Sequence, residues 1–324
     1  MKALVRRGTD QRTGEQKFEP ATRDATLRRM ASAVVLSTSL LLVIAKLWGW
    51  SATGSMALLT SAADAVVDAL AALATFLGVR FAQRPADAEH RFGHGKAEAL
   101  AAFTQAVLLT ATAMILAAQS VWRLFHPQPL TAFALGVVVA AGGFLISSLL
   151  AVMQTWVVRR TGSSAIAADR AHYVSDVALN GAVLVALVLW RATGSAQIDP
   201  LFALGIAGYM ITNAWRVAVT ASHQLLDHEL PAAERERIKA AALACAGVCG
   251  IHDLRTRDAG DRLFVEFHLE VQGQTSVREG HDIVDSAERA IAGLFPKQTE
   301  VIGHLEPAGI VDERIDDRVT RGFG

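Results

Sequence analysis

The sequence predicts an α-helical membrane protein: a six-transmembrane-helix bundle followed by a C-terminal α+β domain on the cytoplasmic side. Three observations carry that expectation. Six apolar runs, each near the roughly 20 residues that take a helix across a bilayer, cover 30–50, 57–82, 98–122, 132–157, 166–190 and 199–220. Basic residues gather at alternate ends of those runs. Near Pro231 the composition turns to shorter amphipathic segments. Across all 324 residues, 52% are hydrophobic and 19% charged, the balance of a mixed membrane and soluble chain.

The runs differ in what interrupts them. Ionisable residues break the second and fifth, and isolated polar residues such as Gln105 and Asn213 break the third and sixth. The first and fourth are clean apart from Lys46, which can snorkel towards an interface. Lysine and arginine mark the cytoplasmic ends of spans. Arg23, Arg28 and Arg29 precede the first run; Arg80, Arg84, Arg91 and Lys96 follow the second; Arg159, Arg160 and Arg170 follow the fourth. The opposite loops hold little charge, with Arg123 and Arg191 the basic residues there, so both termini are expected in the cytoplasm.

After Pro231 the pattern reads helix, strand, strand, helix, strand. "PAAERERIKAAALACAG" has helical periodicity, with Pro231 suited to a first turn and Gly247 to a stop. "DLRTRDA" and "RLFVEFHLEVQ" read as strands, the second alternating strictly. "SVREGHDIVDSAERAIAGLF" is an amphipathic helix and "EVIGHLEP" a last strand. The expected parts are a polar, disordered tail over 1–27, a membrane domain over 28–222, a soluble domain over 223–307 and a second disordered tail over 308–324.

Several function classes drop out. Lys+Arg and Asp+Glu are equal at 31 each, which leaves no basic excess for nucleic acid. Two cysteines, Cys245 and Cys249, are too few for a disulfide framework or a four-thiolate metal site. The first 25 or so residues lack the apolar segment of a secretory signal. No H-E-x-x-H motif occurs, because "HELPA" lacks the second histidine, which speaks against a membrane metalloprotease. Clean spans speak against a continuous polar channel.

The chemistry is concentrated in spaced acids and histidines. Asp64 and Asp68 stand four apart in the second run, so one helix face carries both. His172 and Asp176 repeat that spacing in the fifth run. An ionised carboxylate in a bilayer needs a partner, and two such pairs on two helices make a four-ligand set suited to zinc, ferrous iron or cadmium. The competing reading leaves each pair separate, facing water or protonated. Between the second and third runs, Asp87, His90 and His94 form D-x-x-H-x-x-x-H, which is either a metal set or a solvated turn. In the soluble domain His252, His268, His281 and His304, with Glu306 two residues after the last, are either a metal cluster or scattered surface histidines.

Taken together, "SAADAVVD", "DAEHRFGHGKAEAL", "DRAHYVSDVALNG", "LLDHELP" and "GIHDLRTRDAG" resemble the cation diffusion facilitator family, in its bacterial zinc and ferrous-iron efflux branch. The likeness runs in order from about residue 28 to Pro307. It implies a homodimeric exporter in the inner membrane that exchanges a divalent metal, Zn2+ or else Fe2+ or Cd2+, for protons, and that carries a cytoplasmic ferredoxin-like, metallochaperone-like domain. It implies a transport site at Asp64, Asp68, His172 and Asp176, a loop site at Asp87, His90 and His94, and a cytoplasmic binuclear site at His252, His268, His281, His304 and Glu306. At the last position the family branch has aspartate, so the longer Glu306 changes the reach. Lys96 and Asp227 match an ion pair between membrane and cytoplasmic domains. A metal-responsive sensor or scaffold of the same fold is the alternative that these residues leave open.

Overall fold

The computed structural model describes residues 18–54, 56–126, 133–309 and 314–315. Six long helices come first: α1 (Phe18–Thr53), α2 (Met56–Ala82), α3 (Ala97–Phe125), α4 (Phe133–Thr161), α5 (Ser164–Thr193) and α6 (Ile198–Leu225). Among the described residues α1 to α5 are long and apolar enough to cross a membrane. At 28 residues, α6 would span about 42 Å at 1.5 Å per residue, but Asn213, Arg216 and His223 dilute its apolar content. The tail expected to be disordered over 1–27 is helical from Phe18, while residues 1–17 lie outside the described part, as do 310–313 and 316–324 of the second expected tail.

The chain divides into two compact units. The first takes in the residues up to Arg80 together with Thr104–Val217. Helices in lipid gain little from burying apolar surface against one another, so close packing and small side chains hold them together. Val35, Ala72, Leu150, Ala151 and Tyr173 bring α1, α2, α4 and α5 into one cluster. Leu109, Ala113, Met210 and Ala214 join α3 to α6 in another. Helix α5 starts on Ser163, whose hydroxyl accepts from the Ile166 amide, and stops at Gly194 in a left-handed conformation. Its buried stripe runs Ile166, Asp169, His172, Tyr173, the helical spacing of one face.

The second unit comprises Phe81–Phe103 and the chain from Ala218 onward. Its α+β part follows the expected order: α7 (Ala232–Leu243), β1 (Gly250–Asp258), β2 (Arg262–Val271), α8 (Val277–Ala292) and β3 (Gln298–Pro307). Pro231 sits at the N-cap of α7, and Gly247 comes beyond the helix end at Leu243. Strand β2 is central, antiparallel to β1 and parallel to β3. Ile238, Val265, Phe267, Leu269, Val284 and Ile291 form the core between sheet and helices. Ser276 caps α8 by accepting from the Glu279 amide, an interaction worth about 1 kcal/mol.

Candidate metal centres

The α2 and α5 pairs meet in part. His172 Nε2 lies 3.3 Å from Asp68 Oδ1 and 3.5 Å from Asp176 Oδ2, which draws one carboxylate from each helix to one imidazole nitrogen. That nitrogen is buried and makes no hydrogen bond. Asp64 stands one turn before Asp68, and among the described residues no ion pair within 4 Å joins it to His172. Its electrostatic neighbours are Asp68 and Lys46. Lys46 donates to the Ser61 carbonyl at 3.1 Å and so lies beside the start of the same stretch of α2.

The loop set lies wholly in the second unit. His90 Nδ1 is 3.3 Å from Asp87 Oδ1, and His94 Nε2 is 3.3 Å from Asp87 Oδ2. One ligand atom from each residue falls within 4.8 Å of the other two. Asp87 also folds the turn: its Oδ1 accepts from the His90 amide at 2.7 Å and the Glu89 amide at 3.0 Å. The His90 amide, helped by that of Glu89, holds the Asp87 carboxyl below the usual carboxylate range although the residue is exposed. His94 is buried, its ring edge-on to Phe81, and its Nδ1 has no hydrogen-bond partner.

Glycine fixes where that loop goes. A Cβ on Gly95 would stand 2.1 Å from the Ala259 carbonyl oxygen and 2.3 Å from Asp261 Oδ1, so only glycine lets the loop lie against the turn between β1 and β2. Beside it Lys96 Nζ pairs with Asp227 Oδ1 at 2.9 Å and donates to the Leu225 carbonyl at 3.2 Å. Both members of this ion pair belong to the second unit. Arg257 lies 3.6 Å from the other oxygen of Asp227, with its guanidinium over Phe92 and Phe264.

The cytoplasmic set is built by strand register. His252 pairs with His268 across β1 and β2, and His268 pairs with His304 across β2 and β3, so three imidazoles form a row across the sheet. Two residues along, on the same face, Glu270 pairs with Glu306. Glu306 reaches all three rings, 3.2 Å from His252, 2.8 Å from His268 and 3.7 Å from His304. His252 Nδ1, buried and without a hydrogen bond, is 3.2 Å from Glu270. His281 is not brought into this row: it lies on α8, largely exposed, with Asp285 of its own helix 3.8 Å away.

Two further acids stand at this cluster. Asp253 offers a ligand atom within 4.8 Å of His252 and His268. Strict alternation places it on the opposite face, but the register slips between His252 and Arg255 and Asp253 takes a positive φ of 48°. Glu270 is two residues from His268 on β2, the same relation that marks Glu306 beside His304. Arg314 reaches Glu270 at 2.6 Å from within the stretch expected to be unstructured.

In each of the three sets a buried imidazole nitrogen lacks a hydrogen bond and stands within about 3.5 Å of carboxylate, or has its sister nitrogen there. An orphaned buried nitrogen is costly. A divalent ion, which needs deprotonated carboxylates and a neutral imidazole, would satisfy that nitrogen at His172 and His252, while at His94 it would take Nε2 beside Asp87.

Family comparisons agree with this layout. A cation efflux transmembrane domain matches residues 32–226, and a cation efflux protein cytoplasmic domain matches 230–308. The chain is 42% identical over 284 residues to a cation-efflux pump FieF of Cronobacter sakazakii, covering 87% of this chain and 93% of that protein. It is 41% identical over 285 residues to FieF of Klebsiella pneumoniae, covering 88% and 93%. For FieF of Yersinia enterocolitica the identity is 40% over 292 residues, covering 89% and 96%. The chain is a multi-pass membrane protein that belongs to the cation efflux, or cation diffusion facilitator, family, whose members are transporters rather than enzymes.

Proposed function

We propose that this protein exports a divalent metal from the cytoplasm in exchange for protons, with zinc its first substrate and ferrous iron or cadmium accepted by the same ligands. The observation that carries the reading is the contact of His172 with Asp68 and Asp176 inside helices apolar enough to span a bilayer. One imidazole with three carboxylates suits a tetrahedral borderline ion, while magnesium and manganese favour six oxygens. Asp64, within reach of Asp68 along α2, supplies the fourth ligand once the helices close around the ion.

Coupling follows from those side chains. Loading the ion requires Asp64, Asp68 and Asp176 to be ionised and His172 neutral, so loading expels protons. After release on the far side, carboxylates in a low-dielectric bundle take protons back, because bare charge there is expensive. Protons therefore move inward as metal moves outward, by alternating access. In this reading both termini face the cytoplasm and the protein lies in a bacterial inner membrane; the basic residues of alternate loops support that orientation.

The working form is a homodimer, in keeping with the cytoplasmic-domain match over 230–308. A metal held by His252, His268, His304 and Glu306 would stabilise the docked domains by mass action, and His281 would join from the facing copy. The loop trio Asp87, His90 and His94 would hold a further ion beside the β1–β2 turn. A sensor or scaffold without transport would keep the cytoplasmic cluster but have no use for acids within the apolar helices α2 and α5. Metal uptake into sealed vesicles containing the purified protein separates the two: flux of zinc above empty vesicles is expected, and binding without flux would leave the sensor.

A further inference from the structure

Asp169 is 2% exposed on α5 and takes no part in the metal set, so its burial calls for another reason. Its two oxygens accept from two carboxamides: Gln105 Nε2 of α3 on Oδ1 at 2.7 Å, and Gln154 Nε2 of α4 on Oδ2. These partners belong to different packing groups. Gln154 and Asp169 sit within the group of α1, α2, α4 and α5. Gln105 belongs to the α3–α6 pair, which its own apolar cluster and the Arg123–Asp199 contact at 3.6 Å hold together. The Gln105–Asp169 bond therefore bridges the two groups; a weaker bridge, Asn213 to Ser175 at 3.5 Å, lies farther along α5.

Depth gives the bridge its meaning. Gln105, Gln154 and Asp169 each lie within about two turns of a helix end, and those three ends carry the basic residues Lys96, Arg159, Arg160 and Arg170. His172 is one turn deeper along α5. The bridge thus crosses the seam between groups on the cytoplasmic side of His172 and Asp176.

We propose that the Gln105–Asp169 hydrogen bond is a latch that keeps the cytoplasmic approach to the metal set closed. The inference rests on the transport reading above. Movement of the α3–α6 pair away from the other four helices removes the donor from Oδ1. Gln154 moves with Asp169 and keeps Oδ2 partnered, so the buried charge is never left bare, a state that would be strongly destabilising. Gln105 and Asp169 are positioning residues: they set which side the ligands face and do not touch the ion.

The test uses full-length protein in vesicles with its cytoplasmic face outward. Cys245 and Cys249 are replaced by serine, and Ser175→Cys, fully buried one turn beyond His172, serves as the reporter. A membrane-impermeant methanethiosulfonate reads access from the cytoplasmic side. Losing one charge-assisted hydrogen bond should raise the labelling rate about tenfold or more in Gln105→Ala. Gln154→Ala, which breaks a bond inside one group and leaves Asp169 bare once Gln105 departs, should not raise the rate and should lower it. Gln105→Met, of similar volume and without donors, repeats the first arm should alanine unfold the bundle. An unchanged rate in the Gln105 variants, or equal acceleration by Gln154→Ala, overturns the latch. Zinc flux of the parent chain is measured alongside: a parent that moves no metal overturns the transport reading, whatever the labelling contrast between the variants.

Discussion

His172 Nε2 and Asp68 Oδ1 stand 3.3 Å apart, joining α5 to α2 within helices apolar enough to span a bilayer. Removing Asp68 takes one of two carboxylates from the buried His172 imidazole, and with it a ligand. Asp68→Ala should abolish metal flux and weaken metal binding at least about a hundredfold, beyond what outer-shell losses produce. Dimer mass on a sizing column should not change. Retained transport in Asp68→Ala would remove this residue from the set.

Glu306 is the shared contact of the histidine row, so its charge should matter more than its bulk. Glu306→Gln should lower the metal affinity of the cytoplasmic domain at least about tenfold, with the sheet intact by circular dichroism. His268→Ala should weaken metal-dependent compaction of that domain in scattering. Glu306→Asp, one methylene shorter, tests whether reach as well as charge is tuned. Calorimetric titrations that match the parent in Glu306→Gln would show that the row does not hold metal.

The loop against the β1–β2 turn depends on a missing side chain. Gly95→Ala would press a Cβ onto the Ala259 carbonyl, which is backbone and cannot swing aside. A cost of about 1–3 kcal/mol is expected from such overpacking. Proteolysis of the segment 83–96 should quicken accordingly, while Gly93→Ala should act through its positive φ of 82° rather than through contact.

Asp87 sets a pH window for the loop turn. Its carboxyl is held below the ordinary 3.8 by the His90 and Glu89 amides, so its contribution to the folded turn is fully present above that value. It is lost as pH falls through the lowered folded value. Hydrogen exchange at the His90 and Glu89 amides should therefore stay slow down to about pH 4, and Asp87→Asn should quicken it even at neutral pH. Exchange in the parent that quickens between pH 7 and 5 would show that another group controls the turn.

Local pattern carried much of this architecture. The i,i+4 acids and histidine of α2 and α5 were legible because helical spacing and intramembrane charge are both local signals, and the αββαβ order followed from alternation and amphipathic stripes. What escaped depends on partners far along the chain. Asp169 is three residues before His172 on the same face, yet its role needs Gln105 and Gln154 from two other helices. Asp253 needs a bulge that alternation cannot foresee. Residues 18–27 read as a polar tail because they lack apolar content, but helix formers next to a long apolar helix extend it without a fresh nucleation cost.

The central claim is that metal and protons cross in opposite directions through the set at Asp64, Asp68, His172 and Asp176. Purified protein in sealed vesicles, loaded with a pH dye and a zinc dye, measures both at once. Imposing a proton gradient should drive zinc against its own gradient, and adding zinc to one side should shift the pH of the other, with both signals absent in Asp68→Ala. Zinc movement with no opposing proton movement would contradict the account.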